Sequence, residues 1–259
     1  MKRKGAKLGQ HFLTGTWAAH KLVESAGITA DDVVLEIGPG KGALTREILK
    51  TGARVVAIEK DSALVEQLRT EFPKERLTII DADIRDIAPE TIGLEAGEYI
   101  LAANIPYYIT GEIIRQFLSA NVQPKTMALL VQKEVADRIL ARDKKESILS
   151  ISVKAYGDPS IAAKVSRGNF TPPPSVDSAI LVVQHISKTF FEEVGEEFFF
   201  KIVRTGFSSK RKLLAGNLGK EFGRERAEDA LAAAGVPAKA RAEDVSLEQW
   251  KIISMKLLR

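Results

Sequence analysis

The chain has 259 residues, 45% of them hydrophobic, a formal charge of +4 with a pI near 9.1, and no cysteine. That is enough chain to bury a full core and to divide into one larger and one smaller domain. The absent cysteine excludes disulfides and thiolate metal ligands, and His11, His20 and His185 show no paired ligand spacing, so no metal is expected. No apolar run approaches the roughly 20 residues of a membrane span, and the opening MKRKGAKLGQHF has no secretory core, so a cytoplasmic, membrane-free protein is expected, with a monomer as the default.

Residues 1–23 carry Lys2, Arg3, Lys4, Lys7 and Lys21 without one acid, and residues 198–220 carry Lys201, Arg204, Lys210, Arg211, Lys212 and Lys220, again without one. Two such segments suggest an electrostatic footprint for nucleic acid. From residue 33 short apolar runs alternate with helix-period segments: 33–37, 54–59, 77–80, 99–104 and 126–132 read as strands. This alternation predicts an α/β domain whose parallel sheet is covered by helices on both faces.

The loop EIGPGKGALT (36–45) follows the first of these strands and opens a helix. Glycines there let the backbone approach a ligand set against the helix N-terminus. The loop fits a dehydrogenase or a methyltransferase equally well. Glu59 ends the next strand, where it could accept ribose hydroxyls, and Asp83 ends the third, where it could accept from an adenine amino group. Together they predict a pocket for an adenosine-bearing cofactor. Lys41 is the one base near the loop, which favours a cofactor without phosphate, S-adenosylmethionine, over NAD.

The fourth strand runs into NIPYYI (104–109), and Ile109, Ile113, Ile114, Phe117 and Leu118 then share one helical face. An amide, a proline and two tyrosines at the carboxyl end of a strand supply what a planar polar ring needs. A helix is expected from Lys133 to about Arg142, which sets Arg138, Arg142 and Lys145 along one face, then another over roughly 146–156. A strand near 161–165, the proline-rich FTPPPSVDS (170–178) and an apolar run 179–186 follow, with the domain boundary near Ile186. Beyond it the pattern is helical. The predicted domains are 1–186 and 187–259.

LGQHFL (8–13), EIGPGKGALT, NIPYY, VQKEVADRI (131–139) and FTPPPSVDSA (170–179), in this order, resemble the ribosomal RNA adenine dimethyltransferases of the KsgA (RsmA) type across essentially the whole chain. The resemblance implies a Rossmann-like class I S-adenosylmethionine-dependent methyltransferase sheet with a small C-terminal all-helical domain. It implies dimethylation of two adjacent adenosines near the 3′ end of small-subunit (16S) rRNA and a role in ribosome biogenesis. Carried over residue by residue, His11, Leu13, Gly38, Glu59, Asp83 and Asn104 border the cofactor. Asn104 faces the transferable methyl; His11 stands where asparagine is commoner and Ala82 where glycine is.

For catalysis the Asn104 side-chain oxygen and the Ile105 carbonyl are expected to grip the hydrogens of the adenine amino group. Pro106 fixes the loop, while Tyr107 and Phe170 sandwich the flipped base. Arg138, Arg142, Lys145, Arg204, Lys210, Arg211 and Lys212 are expected to contact phosphates of rRNA or of an assembling small subunit. The alternative is the macrolide-resistance type of adenine methyltransferase acting on large-subunit rRNA, which shares NIPY and the glycine loop.

Overall fold

Runs of β-branched and aliphatic residues become the strands of a computed structural model that describes residues 10–258. The basic residues Lys2, Arg3, Lys4 and Lys7, and the first two positions of LGQHFL, lie outside the described residues. The chain forms two compact units: the residues up to Ala136 with Asp158–Ile186, and Asp137–Gly157 with the residues from Ser187 onward.

In the first unit, β1 (Phe12–Leu13) leads into α1 (Thr16–Ala26). Then β2 (Val33–Ile37), α2 (Ala43–Lys50), β3 (Arg54–Glu59), α3 (Ser62–Glu71), β4 (Leu77–Asp81), β5 (Tyr99–Asn104), α4 (Thr110–Ser119) and β6 (Thr126–Gln132) alternate. After α5 (Lys133–Ile139) and α6 (Ile148–Lys154) the sheet resumes with β7 (Asp158–Val165), β8 (Phe170–Thr171) and β9 (Ser178–Gln184). The main sheet has the order β4-β3-β2-β5-β6-β9-β7.

From β4 to β6 neighbours are parallel, but β9 is antiparallel to both β6 and β7. The wholly parallel sheet is therefore corrected to a mixed one. Only residues 166–177 connect β7 to β9, with no crossover helix, and a connection without a crossover returns the chain antiparallel. After β2 the chain moves to β3 and β4 on one side and then to β5 on the other, which opens a crevice at the carboxyl ends of β2 and β5.

Amphipathic helices close the sheet. α1 buries Ala18, Ala19, Leu22, Val23 and Ala26 on one face and stops where Gly27 adopts φ +67°. α4 buries Ile113, Ile114, Phe117 and Leu118, each side chain contributing about 1.5–3 kcal/mol by leaving water. This face is the one read from the sequence.

The second unit contains α7 (Glu196–Gly206), α8 (Leu214–Phe222), α9 (Arg224–Ala233) and α10 (Leu247–Leu258). Trp250 of α10 is fully buried, stacks on Phe207 at 5.8 Å and lies directly against Gly206. The linear split at Ile186 differs from the observed units in the segment 137–157. It bonds into the C-terminal segment: the Glu146 amide donates to the Glu243 carbonyl (2.8 Å), Lys145 pairs with Glu243 and Asp244, and the Tyr156 hydroxyl donates to Glu196 (2.8 Å). The Tyr156 ring packs on Phe191 and Phe200.

Candidate active site

The crevice is open to solvent and lined by β1, the glycine loop, and the carboxyl ends of β2, β3 and β5. His11, Leu13, Gly38, Glu59, Asp83, Asn104, Ile105, Pro106 and Tyr107 all line it. Gly40 shows why the loop needs glycine: its φ is +58°, and a Cβ would sit 3.0 Å from the Phe12 ring. Lys41 caps that ring from above, its ammonium 5.1 Å from the centroid.

Glu59 holds the loop. Its Oε2 accepts from the Gly40 amide (3.0 Å), and its Oε1 accepts from the Lys60 and Asp61 amides (3.0 and 3.1 Å). Three backbone donors leave one of the carboxylate's four lone-pair sites for a ribose hydroxyl, so the same residue shapes the loop and offers an acceptor.

Glu36 was not read as a site residue, yet it lines the same cavity, is 1% exposed, and has no hydrogen-bond partner for either oxygen. Burial, with the nearby Glu59 charge adding to it, raises its pKa from 4.5 to about 8. The Thr45 hydroxyl, which opposes that rise, does not reach hydrogen-bond geometry. Glu36 is therefore a neutral acid at neutral pH. An apolar strand interrupted by one inward carboxyl, VVLEI, is the sequence signal that could have found it.

Asp83 lies two residues beyond β4, not at its end, and caps the short turn Ile84–Asp86. Its Oδ1 accepts from the Arg85 amide and Nε (3.1 and 3.0 Å), its Oδ2 from Arg85 Nη2 and Lys60 Nζ (2.6 and 3.1 Å). Arg85 above all, then Lys60, holds its carboxyl well below the usual carboxylate range.

NIPYY sits over the crevice. Asn104 Nδ2 donates to the His11 carbonyl (2.9 Å), which fixes the amide and leaves Oδ1 as its acceptor. His11 Nδ1 in turn donates to the Pro172 carbonyl (2.7 Å), so β1 and β8 strap the site from one side. Tyr107 shares a hydrogen bond with the buried Ser178 hydroxyl (2.7 Å), and burial pushes its phenol pKa up.

Phe170, expected at the base-binding face, sits away from the cavity. It is 2% exposed, belongs to the core cluster under α1, pairs with Leu13 across β1 and β8, and does not line the cavity. The ring beside Tyr107 is His11, at 5.6 Å, and the solvent-facing ring at the cavity is Tyr108, 63% exposed. Neither arrangement is visible from spacing alone.

The seven basic candidates all belong to the second unit and are all exposed. The shared helical face is corrected: α5 ends at Ile139, Ala141 is left-handed at φ +52°, and the Arg142 amide donates to the Asp137 carbonyl (3.1 Å). That closure turns the chain away before Arg142 and Lys145. Arg142 pairs with Asp137 (3.2 Å), and Lys145 with Glu243 (3.3 Å) and Asp244. Among the described residues no cluster of three or more His, Asp or Glu could hold a metal, and no helix is long and apolar enough to cross a membrane.

A switch-point crevice with a glycine loop, an acid at its base and an unpartnered, protonated carboxyl in its wall offers hydrogen-bonding partners to an adenosine cofactor. With the mixed seven-stranded sheet it defines a class I S-adenosylmethionine-dependent methyltransferase. Glu36, Glu59 and Asp83 are the groups that would hold S-adenosylmethionine. The chain belongs to the ribosomal RNA adenine dimethylase family, whose model matches residues 1–257. It is 41% identical to ribosomal RNA small subunit methyltransferase A of Dehalococcoides mccartyi, over 98% of this chain and 88% of that protein. It is 34% identical to the protein of that name from Clostridium acetobutylicum, over 99% and 95%. Among solved structures it resembles the 23S rRNA methyltransferase ErmE, with a TM-score of 0.77 and 28% identity over 95% of this chain and 99% of that one. A dimethyladenosine transferase from Plasmodium falciparum shares the fold, with a TM-score of 0.76 and 23% identity over 94% and 96%.

Proposed function

We propose that this protein transfers methyl groups from S-adenosylmethionine to the exocyclic amino groups of two adjacent adenosines near the 3′ end of small-subunit rRNA, during assembly of the subunit. The observation that carries the chemistry is the Asn104 amide, held by the His11 carbonyl so that Oδ1 remains for the substrate.

S-adenosylmethionine, held by Glu59 and Asp83, would supply an electrophilic methyl group on its sulfonium, and the proton displaced from the amino group would pass to water. The chain's part is orientation. An adenine amino nitrogen is a poor nucleophile because its lone pair is delocalised into the ring. Asn104 Oδ1 and the Ile105 carbonyl accept its two hydrogens and favour a pyramidal nitrogen whose lone pair is free to attack. Pro106 sets the loop at φ −55°. Tyr107, tethered through Ser178, offers one face to the base, and no strong general base is required.

Arg204, Lys210, Arg211 and Lys212, with Arg138, contact RNA phosphates. Arg142 and Lys145 contribute less, because each already has an acid partner. The protein acts in the cytoplasm as a monomer.

The likeness to ErmE supports a second reading, methylation of one large-subunit adenosine. The small-subunit relatives at 34–41% identity favour the first. Labelled S-adenosylmethionine with undermethylated small subunits should give N6,N6-dimethyladenosine, with primer extension stopping at two adjacent positions. Modification of large-subunit RNA alone would overturn the assignment.

A further inference from the structure

Asp83 is assigned above to the cofactor's adenine, yet it has no capacity to spare. A carboxylate offers about four lone-pair sites. All four are taken: two on Oδ1 by the Arg85 amide and Nε, two on Oδ2 by Arg85 Nη2 and Lys60 Nζ. The carboxyl cannot swing aside cheaply, since Oδ1 caps the turn Ile84–Asp86 through the Arg85 amide. Oδ2 is the edge that can be cleared, and both of its donors are side chains lining the same cavity.

Arg85 and Lys60 are each 39% exposed, so either head group can leave for water without stranding a buried charge. An incoming adenine amino group must replace one of them. Arg85 is the stronger competitor: its fork spans both oxygens, where Lys60 offers a single point charge.

We infer that Arg85 and Lys60 are intramolecular competitors for the adenine-recognition site: together they fill Asp83 in the cofactor-free protein, and cofactor binding requires one of their head groups to leave Oδ2, a cost that removing Arg85 abolishes. The inference rests on Asp83 recognising adenine. The displaced head group weakens cofactor binding by the cost of breaking one partly exposed ion pair.

A double-mutant cycle in ligand binding tests it, with S-adenosylhomocysteine titrated calorimetrically into wild type, R85L, D83N and R85L/D83N, each first checked for an unchanged thermal transition. Competition predicts that R85L binds roughly two- to fivefold more tightly than wild type, the range of a half-exposed ion pair. In the D83N background, where the charge that holds Arg85 is gone, R85L should change little. As a readout without mutation, raising salt should tighten binding to wild type and leave R85L unaffected, because screening loosens the Arg85–Asp83 pair. Weaker or equal binding by R85L, or an equal gain in the D83N background, overturns the inference. If instead R85L/D83N binds as tightly as R85L, where no competitor obscures the comparison, Asp83 does not read adenine and the underlying assignment fails. A wild-type protein that takes up no S-adenosylhomocysteine would overturn the cofactor assignment itself.

Discussion

Glu36 makes the pH dependence of stability calculable. Its carboxyl titrates at about 8 in the folded chain against 4.5 in the open one, because it is buried without a partner beside Glu59. Folding therefore favours its protonated form. The contribution is fully present below pH 4.5 and is lost as pH rises through about 8. At about 1.4 kcal/mol per pH unit the interval integrates to roughly 5 kcal/mol, an order-of-magnitude ceiling because a relaxing site admits water. Glu36→Gln keeps the shape and cannot ionise. Unfolding free energies of wild type and E36Q from urea titrations between pH 5 and pH 9 should diverge by several kcal/mol, wild type losing ground as pH rises. Parallel curves across that range would refute a neutral buried acid at this position.

Asn104→Ala should lower single-turnover methyl transfer on the order of 100-fold or more, with a smaller change in cofactor affinity, both measured on the same preparation; unimpaired chemistry would sink the orienting role. Gly206→Ala places a Cβ 2.3 Å from Trp250 Cη2 and 2.9 Å from Leu214 Cδ1, in surroundings with no room to give. Thermal denaturation should report a loss of about 1–3 kcal/mol or more, and an unchanged transition would contradict the packing described. Neutralising Lys210, Arg211 and Lys212 together should weaken RNA binding and flatten its salt dependence. A slope equal to that of wild type would remove these residues from the interface.

Much of the fold was legible because its signals are local. Strands 33–37, 54–59, 99–104 and 126–132 are apolar runs bounded by turn residues, and the structure places strands at those same positions. β1 and β8 were missed because two residues carry no periodicity, yet they strap the site through His11. α5 ends early at a left-handed Ala141, and alanine in place of the usual glycine gives no warning of such an end.

The sequence by itself determined that a glycine loop, Glu59 and NIPYY would meet at the carboxyl end of a sheet, since strand-end positions follow from the alternation of elements. It could not determine which way each side chain faces or what already occupies it. Phe170 falls into the core, Glu36 is stranded without a partner, and Asp83 is filled by Arg85 and Lys60. Burial, ion pairing and the resulting proton affinities depend on neighbours distant in sequence. Only the packed tertiary structure brings those neighbours together.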